Sequence, residues 1–250
     1  MSTFQFSAAA DHSGVTVEAP NGAKATLAWR TGSSHDAGAG AVMSGIKQVH
    51  HETAPKAADL RPEAMVRAVR QSISQHVSPA FQAMRDAVQA AKRDHAERLT
   101  RVAASPSDAL LAAEDRADFR ATPAAKHAAW ISAATLDQLA AVLAAGRQRW
   151  PDVADAMWTM AQERALRLAH ISNSGSLARF PLPETPADPA PVGPDLAAAE
   201  KAAAENVAAF RAEQDDAATA SAFLSRTIAM VAVAGDMTVD QAHKLLRGDD

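Results

Sequence analysis

The sequence predicts a mainly α protein: an elongated helical chain with a small N-terminal β-hairpin, a proline-rich strap and a C-terminal helical arm. Three observations carry that prediction. An apolar stripe with helical period runs from Val66 to Val102, alternating residues flank an Asn-Gly pair near the N-terminus, and six prolines crowd residues 181–194 ahead of a long alanine-rich run.

Residues 1–30 hold the β-structure. Phe4 and Phe6 alternate with polar residues, and Gly14–Glu18 faces Ala25–Trp29 across Pro20-Asn21-Gly22. Asn-Gly between alternating runs is a strong hairpin signal, because both residues tolerate positive φ. A lone hairpin is marginal in water. It is therefore expected to pack on the helices or to add its edge to a sheet in another subunit. Being local in sequence, it is expected to be dispensable for folding of the helical body. Residues 31–60 are rich in Gly and Ser and read as a flexible loop. Two runs in this loop invite chemistry. His50-His51-Glu52 suggests a metal, but neighbours on an extended chain point to opposite sides and the reading fails. Ser33, Ser34, His35 and Asp36 suggest a nucleophile triad, which a loop does not hold rigidly.

The stretch from Arg61 to Ala104 organises the chain. Its stripe of Val66, Val69, Ile73, Val77, Phe81, Met84, Val88, Ala91, His95, Leu99 and Val102 advances 36 residues in ten steps, the 3.6 period of a straight helix. Pro79 interrupts it, since proline lacks the backbone donor and clashes with the preceding turn. With Ser78 placed as a cap, two helices or one sharply kinked helix are expected. Residues 61–101 carry eight Lys/Arg against four Asp/Glu. Arg85, Lys92, Arg93, Arg98 and Arg101 are the candidate partner-binding residues of this basic segment.

The helical body is expected over 61–172. Ser105-Pro106-Ser107-Asp108 caps a helix over 109–120, Thr122-Pro123 opens another through Trp130, and Thr135–Gln138 is a capping box with Gly146 as the stop. A further helix is expected from Trp150-Pro151-Asp152 to Ile171. Trp130, Trp150 and Trp158 read as core anchors, and His127 and His170 as helix-surface or capping residues. Residues 173–194 form the proline-rich linker, a polyproline-like strap with Phe180, Leu182 and Val192 available to pin it. Residues 195–250 form the arm. Asp195 caps it, its first half has almost no bulky apolar residue before Phe210, and Thr238–Gln241 opens a short terminal helix. So alanine-rich a face predicts exposure or contact with a subunit.

Composition explains the emphasis on partners. Alanine supplies 63 of 250 residues, and Leu, Ile, Val and Phe together only 44. Alanine favours helix and close backbone approach but buries little area, so the core is expected to be thin and supported by neighbours. There is no cysteine, which removes disulfide and thiolate chemistry. No secretory signal is read, and the strongly apolar run 228–234 is short, so cytoplasmic synthesis without a membrane span is expected. The net charge of -4 disfavours DNA binding as the main task.

No phosphate-binding, dinucleotide, zinc-protease or nucleophile-elbow motif is present. No catalytic residue, cofactor, metal or small-molecule substrate is expected. The sequence reads as a non-catalytic structural or assembly subunit whose partners are itself or other subunits. By analogy of architecture that assembly is a bacteriophage virion, at its head–tail or tail. The alternative is a regulatory adaptor that binds nucleic acid or an acidic partner through the basic face of 61–101.

Overall fold

A computed structural model of the chain describes residues 3–9, 12–19, 22–102, 109–173 and 179–249. The protein is mainly α with a small N-terminal antiparallel sheet. Strands β1 (Thr3–Ala9), β2 (His12–Glu18) and β3 (Lys24–Arg30) form a meander in sequential order. Nine α-helices follow among the described residues: α1 (Asp36–Thr53), α2 (Pro62–His76), α3 (Ser78–Val102), α4 (Ala109–Ala121), α5 (His127–Ala133), α6 (Leu136–Ala144), α7 (Asp155–Asn173), α8 (Leu196–Ala234) and α9 (Val239–Arg247). The chain divides into two compact units. One comprises Met1–Lys92 with Glu213–Asp250, the other Arg93–Ala212.

In the first unit the predicted hairpin is present as β2–β3, with Val15 opposite Leu27 and Val17 opposite Ala25. Pro20 and Asn21 of its turn, and the Ser105–Asp108 cap, lie outside the described residues. Because side chains alternate across a strand, Val15, Val17, Leu27 and Trp29 share the buried face. Thr16 and Thr26 meet on the other face with their hydroxyls 3.0 Å apart. The hairpin's buried face belongs to one core with α1, α2, the first part of α3, the second part of α8, and α9.

The loop expected over 31–60 is corrected: most of it is α1, followed by a 3₁₀ turn at Ala54–Ala57. Its glycines hide an amphipathic pattern in which Ala39, Val42, Met43, Ile46 and Val49 return every three or four residues and are all buried. The break at Pro79 is as expected. Val77 ends α2 in helical conformation and α3 begins at Ser78, so the interruption spans one residue and the buried stripe runs on through Val77, Phe81, Met84 and Val88. Ser78 does not cap through its side chain; its hydroxyl donates to the Leu245 carbonyl of α9 at 3.1 Å. Arg70 reaches from α2 to two carbonyls, donating through Nε to that of Gly235 at 2.9 Å and through Nη2 to that of Asp236 at 2.6 Å. Asp236 holds φ of 47° where α8 turns into α9.

In the second unit, Phe119, Ile131, Leu139, Val142, Trp150, Val153 and Ala161 form the centre of a core built from α4 to α7. Both capping boxes are present: Thr135 and Gln138 at α6, and, in the first unit, Thr238 and Gln241 at α9. Helix α7 starts at Asp155, later than expected, because Arg147 donates to the carbonyls of Trp150 and Val153 and to Asp155, fixing that segment as a turn. Trp150 is the deepest of the three tryptophans, donating from Nε1 to the Val142 carbonyl at 3.1 Å. Trp130 and Trp158 are half-buried against the same core. His127 is corrected from surface to core: it is buried and stacks on Phe119 with centroids 4.8 Å apart.

The proline-rich segment is helix-free through most of its described residues but doubles back. Asp195 N–H donates to the Phe180 carbonyl, Leu182 N–H to that of Gly193, and Thr185 and Asp188 exchange backbone hydrogen bonds. Val192 is 95% exposed, so it does not pin the segment among the described residues. Asp195 caps α8, accepting from Ala198 N–H at 2.9 Å. The alanine face of the first part of α8 is buried rather than exposed, through Ala199, Ala203, Val207 and Phe210, since small residues permit close packing. Helix α8 is long and apolar enough to cross a membrane by length and composition alone. Half of its most apolar stretch is buried within the protein, as in a core helix.

Candidate functional site

The five cations chosen from the sequence all lie on α3, but they do not form one patch. At about 100° per residue, Arg85 and Lys92 share a side of the helix, while Arg98 and Arg101 lie about 120–180° around it from them. Several also have local partners. Arg85 pairs with Asp86 at 2.8 Å, Lys92 donates to Ser221 Oγ at 2.9 Å, and Arg98 pairs with Asp94 at 2.8 Å. The Arg98 guanidinium also sits 5.9 Å from the Phe210 ring centre, and Arg101 leans toward the Glu97 carbonyl at 3.4 Å. Arg93 is exposed.

The two runs considered for chemistry are held in local hydrogen-bond networks. Asp36 accepts from Trp29 Nε1 and Gly32 N–H, each at 2.8 Å, and from Ser33 N–H at 3.2 Å. The Gly32 amide and then the Trp29 indole hold its carboxyl below the ordinary aspartate value. Ser34 binds Asp216 through both its amide and its hydroxyl. Glu52, now on α1, accepts from Ser72 Oγ at 2.7 Å and from Gln48 at 3.1 Å, and lies in ion-pair contact with His76 Nε2 at 2.8 Å. The Ser72 hydroxyl is the main cause of its lowered pKa. This carboxylate stands between Ser72 and His76, so it joins them without letting the imidazole take a proton from the hydroxyl, as a nucleophile triad requires. Among the described residues no group of three or more His, Cys, Asp or Glu is gathered for a metal.

A different place combines the features of a binding site. In antiparallel pairs, hydrogen-bonded and non-bonded positions alternate. Counting from the Ala19 N–H to Ala23 carbonyl bond of 2.8 Å, the bonded pairs are Val17–Ala25, Val15–Leu27 and Ser13–Trp29. The backbone groups of Thr26 and Ala28 consequently point away from β2. Beside that free edge an open cleft of about 680 Å³ separates β3 from α8. Ala28, Trp29 and Arg30 form one wall. Thr219, Ala222, Phe223 and Arg226, at helical spacing on one face of α8, form the other. Trp29 and Phe223 close its floor edge to face, with ring centres 5.1 Å apart, and both are buried. Ala28, Thr219 and Ala222 are exposed and small, which leaves the cleft shallow.

Sequence reasoning missed this site. One signal was there to be read: Arg226 is the sole charged residue between Asp216 and Asp236. In the second unit the cavity beside Trp158 and Leu99 is about 150 Å³ and lacks a charged wall. No protein family, curated protein or solved structure matches this chain.

Proposed function

We propose that this chain is a non-catalytic structural or assembly subunit of a multi-protein complex, built in the manner of a bacteriophage head–tail or tail component. The observation that carries this reading is the sheet: among the described residues, β1 and β3 each have a neighbouring strand on one side alone. A sheet edge with unpaired amides and carbonyls is a template for another chain unless it is covered. The low content of large apolar residues supports the same reading, because partners then supply burial that the chain lacks. The virion assignment is an analogy of construction. Sedimentation of the purified protein, alone and co-expressed with products of neighbouring genes, tests it. Species above the 26.1 kDa of one chain are expected; a lone monomer under every condition overturns it.

A further inference from the structure

We infer that the cleft between β3 and α8 takes an extended, acidic segment of a partner protein, added as a fourth strand along β3. The free backbone groups of Thr26 and Ala28 supply the ladder. Neighbouring strands lie about 4.8 Å apart, and the small exposed side chains of Ala28, Thr219 and Ala222 leave room for a backbone to approach that closely. Charge selects the occupant. Arg226 is exposed on the α8 wall, and among the described residues no carboxylate lines the cleft. The nearby acids are already engaged, Asp36 by Trp29, Gly32 and Ser33, and Asp216 by Ser34. A strand with carboxylates on the face turned to α8 therefore meets Arg226, and a basic strand meets like charge. Arg226 interrupts an otherwise uncharged stretch of α8, where packing alone asks for no cation.

This inference rests on the assembly reading, and its test separates the two. A labelled eight-residue peptide of alternating Glu and Val is titrated into the full chain by fluorescence anisotropy, with a Lys-Val peptide as control. Saturable, salt-weakened binding of the acidic peptide alone is expected. Arg226→Glu should weaken it roughly five- to tenfold, and Ala28→Pro, which removes an outward amide on an edge strand, should abolish it. If Ala28→Pro lowers the melting temperature, the exposed Arg226→Glu variant decides by itself. Equal binding of both peptides, no binding of the acidic peptide, or undiminished binding by Arg226→Glu overturns the site. Self-association abolished by Ala28→Pro, without peptide binding, assigns the edge to a second copy and also overturns it. Peptide binding by a chain that stays monomeric with every partner upholds the site and sinks the assembly reading.

Discussion

Gly45 of α1 runs directly against the backbone of His76 at the end of α2: a Cβ at position 45 would lie 2.9 Å from the His76 carbonyl carbon and closer still to its oxygen. This crossing joins the segment that looks like a loop to the helix that organises the chain. Glycine is required there for proximity, since position 45 has ordinary helical backbone.

Gly45→Ala should therefore destabilise the protein by about 1–3 kcal/mol, although alanine is the better helix former by about 1 kcal/mol. Thermal unfolding followed by circular dichroism checks this. A rise in melting temperature would show that α1 and α2 can separate at no cost.

Leu27 is fully buried in the core shared by the sheet and the helices. Leu27→Ala should cost about 2–5 kcal/mol, and urea unfolding should show it as a lower midpoint. A loss below about 0.5 kcal/mol would make the sheet an independent appendage, as its local sequence suggests.

Asp36 has a carboxyl held below its ordinary value by the Gly32 amide and the Trp29 indole. A carboxylate with a depressed folded value stabilises the fold fully above its unfolded value, about 3.9. That stabilisation disappears as pH falls through the lower folded value. Asp36→Asn should reduce stability at neutral pH and flatten the decline in acid. Melting temperatures from pH 7 down to pH 2 measure it, and an unchanged acid slope would remove Asp36 from the account.

Arg85, Lys92 and Arg93 test the basic segment of α3. Reversing all three to Glu should leave helix content intact, because exposed pairs contribute about 0–1 kcal/mol each. Assembly should slow at low salt and recover at high salt, as expected of charges that steer association. Stopped-flow light scattering distinguishes this from a merely solvated face, for which the rate stays normal. Loss of nucleic-acid binding in the same variant would instead favour the adaptor reading.

Sequence by itself determined the features that depend on local spacing. The Val69–Val88 part of the apolar stripe, the interruption at Pro79, the β2–β3 register and the Thr135 and Thr238 capping boxes are set by neighbours a few residues apart, and such interactions are legible in one dimension. Tertiary structure decided what depends on who lies opposite. Glycine in α1 looks like flexibility until Gly45 meets His76 and Gly38 meets Met84. Alanine in α8 looks like exposure until Ala199 and Ala203 are found buried. The cleft was illegible for the same reason, since Ala28 and Arg226 stand 198 positions apart in the chain. A small side chain carries little information about its own burial, because its packing value comes from the partner that it lets approach.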